Sequence, residues 1–338
     1  MSIEGFAGNR DVVTRLESAM RTQRLPHALL FSGPPGVGKK HLALELAMWA
    51  HCAQPGPHWG CGRCSPCRRI EKLRSHPDQP EHPDVRVIIP AGAQLKVEEV
   101  REWNREISFR PSEGPARFFI FDPADEMTGE AANALLKTLE EPPADSYLVL
   151  ISSRPGALLP TIRSRCQTLR FGLLSERDIQ SVLESRQAKV EQAGALAHYA
   201  DGSLGHAFEL LDHLDDVEKT RERALKCLEA TFVEHDFQAI ADSSSKQREE
   251  VRAVLLFCAR IVRDLQALKL DPALELPGWG KDGARVRRMA ERVTLPVLTE
   301  FGERTLRSVR DLDDYANPLI VMETLFLNAI MESRESRV

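Results

Sequence analysis

The stretch that decides the fold runs from His27 to Ala47 and reads HALLFSGPPGVGKKHLALELA. A short apolar segment from Ala28 to Ser32 precedes a glycine-rich turn, and the residues after the turn repeat with helical periodicity. A strand, a loop and a helix in this order are what a phosphate-binding loop requires. The pattern therefore predicts a buried strand that leads through the turn into the amino-terminal end of a helix.

The turn contains Gly33, Gly36, Gly38 and Lys39, which complete the GxxxxGK pattern. Glycines let the backbone amides face a phosphate, and Lys39 would neutralise the β- and γ-phosphates of a nucleotide. The next position departs from the pattern, because Lys40 stands where a Ser or Thr hydroxyl would bind Mg²⁺. Since a lysine brings a positive charge and no acceptor, we expect weakened binding of ATP or ADP and no bound Mg²⁺.

The second half of an ATP site is expected where a buried strand ends in acidic residues. The segment ARFFIFD places Asp122 at the end of an apolar run, but Pro123 follows where a glutamate would polarise the attacking water. Proline has neither acid nor base chemistry. Asp122 is either a strand-terminal cap or a ligand of a nucleotide-bound metal, and both interpretations stay open because the metal's partner at position 40 is replaced.

A cysteine cluster follows the first predicted helix and consists of Cys52, Cys61, Cys64 and Cys67. The last three have two successive CxxC spacings, which let their thiolates converge on one ion, and the first is the most economical fourth ligand. Four thiolates leave no open position for water, so the predicted zinc ion is structural. His51 or His58 is the reserve ligand.

The remaining chain alternates between two patterns and then becomes helical. Further buried strands are predicted in DVRVIIP, ARFFIFD and YLVLISS, and helices in KVEEVREWNREIS and EAANALLKTLEE. This alternation predicts a parallel sheet covered by helices. After Phe171 the strand patterns end, and the most apolar helical stretches lie near Val251–Leu265 and Leu319–Ile330. Their apolar faces either close a core or pack against other subunits, and the core interpretation is favoured.

Composition limits the classes of protein that remain. The chain has 338 residues, 42% of them hydrophobic and 28% charged, as expected for a globular chain of two or three domains. A formal charge of −5 gives no overall basic field, so strong nucleic-acid binding by the chain alone is not expected, although a local basic face stays open. No segment approaches the roughly 20 apolar residues of a membrane-spanning helix, and no secretory signal pattern is present. We expect a cytoplasmic protein without a membrane partner.

Four segments resemble the bacterial clamp loader family of AAA+ proteins: RLPHALLFSGPPGVGK, the four-cysteine insertion, AANALLKTLEEPP and LLPTIRSRCQTLRF. The resemblance covers Met1 to about Leu211, and the last third matches only in length and helical character. It implies an α/β AAA+ (P-loop) domain with a parallel sheet and a zinc module, followed by a small helical lid domain and an all-α collar domain. The expected bounds are 1–170 for the AAA+ domain, with the zinc module at about 52–67, 171–213 for the lid and 214–338 for the collar.

The resemblance also implies a role for one arginine. In this family the arginine of a Ser-Arg-Cys motif reaches into the ATP site of a neighbouring subunit, and at that position this chain has Arg165. Arg163 is also basic, and only the motif separates the two; a surface arginine in a salt bridge is the alternative. His206 stands where ATPases of the family resemble one another in having an arginine that senses the nucleotide.

The departures at Lys40 and Pro123 favour a delta-prime type of subunit over the ATP-hydrolysing gamma type, and His206 supports a disabled nucleotide site in this chain. The resemblance then implies a heteropentamer with gamma or tau and delta subunits, which loads the sliding clamp on primed DNA for DNA polymerase III, a nucleotidyltransferase. We expect this chain to assist ATP hydrolysis by a neighbour and not to hydrolyse ATP itself. An active gamma-type ATPase and a zinc-containing DNA-binding protein with a relic P-loop are the alternatives.

Overall fold

The computed structural model describes residues 6–56, 59–79, 81–186, 189–242, 245–275 and 277–335. The chain divides into two compact units, the first formed by Met1–Ala188 with Ala200–Ala207 and the second by Lys189–Tyr199 with Phe208–Val338. The three domain ranges expected from the sequence stay predictions.

The first unit is built around one parallel sheet. Its strands are β1 (Ala28–Ser32), β2 (Val85–Ile88), β3 (Arg117–Phe121), β4 (Ser146–Ser152) and β5 (Gln167–Arg170). Their order across the sheet is β2-β3-β4-β1-β5, and every neighbouring pair is parallel. The structure thus confirms the predicted α/β architecture and the first four strands.

Helices cover this sheet: α1 (Arg10–Arg21), α2 (Lys39–His51), α3 (Ser65–Lys72), α4 (Val97–Ile107), α5 (Gly129–Glu140) and α6 (Pro160–Arg165). The first unit also contains α7 (Glu176–Ser185). Because side chains alternate along a strand, Leu29 and Phe31 lie in one core cluster while Leu30 lies in the other. The first cluster includes residues of α1, α2 and α3, and the second includes residues of α4, α5 and α6. Two buried faces explain why these strands read as continuous apolar runs.

Strand β5 was not predicted from the sequence. It lies beside β1, with Leu30 opposite Thr168 and Phe31 opposite Leu169. Three of its four residues are exposed and only Leu169 is buried, so the segment lacks the apolar run that marked the other strands. An edge strand of this kind is identified by its hydrogen bonds to the neighbouring strand, and the local sequence pattern does not predict those bonds.

The second unit is helical throughout the residues that the structure describes. Its helices are α8 (Val190–Tyr199), the end of α9 (Leu204–Asp212), α10 (Leu214–Glu229), α11 (Phe237–Asp242), α12 (Arg248–Leu270), α13 (Gly283–Arg292), α14 (Leu295–Asp313) and α15 (Pro318–Glu335). Val251, Ile261 and Leu265 are buried in α12, and Phe326 is buried in α15. The favoured core interpretation is correct for these residues, while Ile320, also in α15, is 60% exposed.

Two groups of buried polar side chains in this unit form hydrogen bonds with each other. The carboxylate of Asp264 accepts hydrogen bonds from His198 at 2.7 Å and from Trp279 at 2.9 Å. Arg221 donates to the Tyr199 hydroxyl at 2.8 Å and also to Asp282. These bonds join four elements of the unit and offset the cost of removing the groups from water.

No helix among the described residues combines the length and apolarity needed to cross a membrane.

Candidate functional site

The glycine-rich turn lies between β1 and α2, as predicted. Gly36 and Gly38 have φ values of 72° and 94°, a region that side-chain-bearing residues avoid. Lys39 is the first residue of α2 and directly follows Gly38. The local geometry of a phosphate loop is therefore present.

The ammonium of Lys39 forms hydrogen bonds within the loop itself. Its Nζ atom donates to the carbonyl oxygens of Gly33 at 2.6 Å and Pro34 at 2.5 Å, and the residue is only 6% exposed. Burial lowers the pKa of Lys39, while the charges of Asp122 and Asp125 oppose that shift. A lysine ammonium has three N–H donors, and in this conformation two of them bond to the loop instead of to a phosphate.

The loop also packs against residues 200–207 of the same unit. The amide of Gly205 donates to the carbonyl oxygen of Gly36 at 2.9 Å. A Cβ atom on Gly36 would lie 2.0 Å from Oγ of Ser203, so this contact excludes any larger residue. Oγ of Ser203 accepts from the amide of His206 at 3.3 Å, which places the predicted sensor position at the start of α9 beside the loop.

Asp122 lies in the field of both lysines. Burial raises its pKa, and the charges of Lys40 and Lys39 oppose that shift without reversing it. Burial likewise lowers the pKa of Lys40, with Asp122 opposing. The structure thus brings Lys39, Lys40 and Asp122, three of the six predicted nucleotide-site residues, close enough for their charges to interact. The Asp122–Pro123 peptide bond is cis.

The cysteine cluster has the arrangement of a metal site. Cys52 caps the carboxyl end of α2, Cys64 caps the amino end of α3, and Cys67 lies within α3. The four sulfur atoms, with that of Cys61, all lie within 4.8 Å of one another. Four convergent thiols are the ligand set of a closed tetrahedral zinc site, so the cluster could hold a zinc ion.

Backbone amides surround these sulfur atoms. Cys61 Sγ accepts from the amides of Arg63 at 3.4 Å and Cys64 at 3.3 Å, and Cys52 Sγ accepts from the amide of Cys61 at 3.2 Å. The two amides hold the pKa of Cys61 down to about 6, whereas burial raises the pKa of Cys52 and of Cys67. Amide donors favour the thiolate, which is the form that binds a metal.

Of the two reserve ligands, His51 is not among the described residues that form this cluster. His58 lies outside the described residues, and His51 packs against His82, with ring centroids 4.5 Å apart and Asp84 beside them. The Asp84 carboxylate already accepts from Arg117 and from the amides of Ser112, Glu113 and Gly114.

His82 also forms a hydrogen bond within this group. Its Nδ1 atom accepts from the amide of Asp84 at 3.2 Å, which leaves the proton of the neutral ring on Nε2. Burial lowers the pKa of His82 to about 4. We therefore interpret the His51–His82–Asp84 group as a packed joint between α2 and the turn before β2.

Arg165 is the last residue of α6 and lies on the surface. Its guanidinium contacts Oε1 of Glu140 at 2.6 Å and donates to the carbonyl oxygen of Thr161 at 3.1 Å. Arg163 is exposed as well. Sequence reasoning did not single out Glu140, which ends α5; the signal was present in the KTLEEPP segment, where a proline pair stops the helix beside two acids.

Comparison with known proteins gives consistent matches. Residues 8–175 match the family model described as "DNA polymerase III, delta subunit". DNA polymerase III subunit delta' of Bacillus subtilis is 35% identical over 218 residues, covering 64% of this chain and 63% of that protein. DNA polymerase III subunit gamma of Buchnera aphidicola is 31% identical over 218 residues, covering 63% of this chain and 58% of that protein.

A solved structure of a gamma-subunit-related protein of DNA polymerase III from Thermotoga maritima is similar with a TM-score of 0.44 and 18% identity, covering 94% of this chain and 99% of that chain. The chain spans less than two thirds of the length of the first curated relatives that it matches. The residues that match the family model lie in the unit that carries the phosphate loop and the cysteine cluster. Over residues 8–175 the chain matches the family of DNA polymerase III delta subunits, and its motifs resemble those of the AAA+ clamp loader proteins.

Proposed function

We propose that this chain is a delta-prime type subunit of a DNA polymerase III clamp loader and assists ATP-driven loading of a sliding clamp on primed DNA. In this proposal it does not hydrolyse ATP, and it supplies Arg165 to the ATP site of a neighbouring gamma or tau subunit. The observation that carries the proposal concerns the phosphate loop. Its backbone has the expected turn, but Lys39 is bonded to carbonyl oxygens of the loop and Lys40 replaces the hydroxyl ligand of Mg²⁺.

Three features support the absence of hydrolysis by the chain itself. Lys39 bonds to the loop carbonyls, and Lys40 places a second ammonium charge near Asp122. Pro123 offers no group to activate water. A nucleotide would have to displace the lysine bonds and would still lack a hydroxyl ligand for Mg²⁺.

The surface position of Arg165 supports a role in trans. A guanidinium at the end of a short surface helix can approach a partner, and its planar fork can stabilise charge on a transferring phosphoryl group. The relatives named gamma, tau and delta' provide the class of partner, namely the other subunits of the loader.

The cysteine cluster supports a structural role for zinc in this proposal. A closed site of four thiolates has no position for water or substrate, so the ion would stabilise the turn between α2 and α3. The proposed domain ranges are those expected above, with a lid at 171–213 and a collar at 214–338. The helical pattern of both ranges supports them.

The test is reconstitution of the loader from this chain with gamma or tau and delta subunits, followed by measurement of ATP hydrolysis stimulated by clamp and primed DNA. Arg165→Ala should lower stimulated hydrolysis, while Arg163→Ala, at another exposed arginine two residues away, should change it little. An arginine finger contributes roughly 10³-fold or more at its own site, but the other sites of the assembly would dilute the measured loss. Unchanged hydrolysis by an assembled Arg165→Ala loader contradicts the proposal.

A further inference from the structure

The ion pair between Arg165 and Glu140 is a contact that the proposed function does not use. It joins the last residue of α6 to the last residue of α5 at 2.6 Å, with 36% of the arginine side chain and 50% of the glutamate side chain exposed. The second contact of the guanidinium is the carbonyl oxygen of Thr161, one helical turn earlier. The side chain is therefore folded back over its own unit.

We infer that Glu140 is a positioning residue that holds the Arg165 guanidinium back until the partner's phosphate displaces it. This inference rests on the proposed function. Glu140 presents a carboxylate, and the γ-phosphate of a neighbour presents anionic oxygens; each can accept two parallel hydrogen bonds from the same guanidinium fork. The two anions compete for one cation.

Electrostatics determine the direction of the effect. If Glu140 stayed bound while Arg165 contacted a phosphate, two anions would lie on either side of one guanidinium and would repel each other. The pair is half-exposed, and exposed ion pairs are weak enough to break when a stronger anion approaches. Glu140 thus disfavours the contact between Arg165 and the neighbour's phosphate in the resting assembly. It permits that contact once the subunits close on the nucleotide.

The neighbouring acid provides a matched control. Glu141 follows Glu140 and carries the same charge, but the pair with Arg165 is made by Glu140. Glu140→Gln and Glu141→Gln change the net charge of the same helix end equally. Only the first removes the contact with the guanidinium.

The experiment uses the reconstituted loader and measures ATP hydrolysis with and without clamp and primed DNA. We expect Glu140→Gln to raise unstimulated hydrolysis at the site that Arg165 serves by about 2- to 5-fold, the factor that corresponds to an exposed ion pair, with little change in the stimulated rate. Glu140→Asp should restore most of the restraint, and Glu141→Gln should behave as the wild type. Melting temperatures of the free chains check that each variant folds.

The double variant separates this inference from the proposed function. If Glu140→Gln has no effect in an Arg165→Ala background but raises unstimulated hydrolysis otherwise, the carboxylate acts through the guanidinium. If Arg165→Ala lowers stimulated hydrolysis while Glu140→Gln changes nothing, or changes both backgrounds equally, the inference is wrong and the finger assignment stands. If Arg165→Ala has no effect on hydrolysis, both are wrong.

Discussion

The Nζ atom of Lys39 lies 2.6 Å from the carbonyl oxygen of Gly33, so the lysine of the phosphate loop is bound by the loop that should present it. A phosphate would have to replace this bond and a second one to Pro34. Because the lysine is buried, leaving those carbonyls without a donor would also carry a cost.

The first prediction concerns ATP turnover by the isolated chain. We expect hydrolysis at background level, because metal coordination and water activation both lack their side chains at Lys40 and Pro123. Phosphate release over a range of ATP and Mg²⁺ concentrations measures it. Lys39→Ala is the control, since contaminating ATPases would ignore it; turnover that this variant abolishes would show a working site and favour the gamma-type alternative.

The second prediction concerns the metal content of the cysteine cluster. Protein purified without added zinc should contain one equivalent of zinc per chain, and Cys64→Ser should lose most of it and melt at a lower temperature. Metal analysis and thermal denaturation measure both. Cys258→Ala removes a buried thiol far along the chain and should keep the full equivalent. A zinc-free preparation that melts like the wild type would refute a structural ion.

The third prediction concerns the chemistry required at Arg165. Arg165→Lys should fail to restore stimulated hydrolysis, because an ammonium is a point charge and cannot reproduce the planar fork of the guanidinium. The comparison is made in the reconstituted loader beside the alanine variant. Recovery by lysine to the wild-type rate would mean that charge alone is needed, and it would remove the geometric part of the finger assignment.

The fourth prediction concerns Gly114, whose backbone lies against the ring of His51. A Cβ atom there would lie 2.0 Å from Nδ1 of His51, and that ring is enclosed by His82 and Phe118. Gly114→Ala should lower the free energy of unfolding by about 1–3 kcal/mol, as overpacking does in other cores.

Gly92 is the matched control for that substitution. A Cβ atom on Gly92 would have nothing within 4 Å, so Gly92→Ala should change stability by less than about 0.5 kcal/mol. Urea denaturation of both variants makes the comparison. Equal stability of the two would show that the His51 ring can move aside.

The fifth prediction is a pH dependence that arises at Asp282 in the second unit. Burial would raise the pKa of this carboxyl, but hydrogen bonds and charges of Arg221 and Arg285 outweigh burial and hold the pKa below its usual range. The unfolded chain would bind this proton first, near pH 3.9, so the stabilisation is complete above that value and is lost as pH falls through the folded pKa.

Asp282→Asn should therefore lower the free energy of unfolding by about 1–3 kcal/mol at pH 7, with the difference from the wild type shrinking as pH falls below about 4. Urea titrations between pH 7 and pH 3 measure it. Glu291→Gln, which removes an exposed carboxylate of α13, should show little difference at any pH. A constant deficit for Asp282→Asn across this range would mean that the ion pairs are not its cause.

The sequence by itself determined the features that depend on local pattern. β1 is bounded as predicted at Ala28 and Ser32, because a doubly covered strand must be apolar throughout and the glycines after it admit only a turn. The cysteine spacing predicted a convergence that the structure confirms, since two CxxC turns and a helix end bring sulfur atoms together over a short length of chain.

Tertiary structure alone decided the contacts between distant segments. β5 becomes a strand because β1 offers a free edge, although its own residues are mostly exposed. Likewise, Gly205 meets Gly36, and Glu140 meets Arg165, only after the sheet has set the order of the elements between them. Contacts between residues so far apart in the sequence depend on the geometry of the folded chain, and residue spacing alone does not predict them.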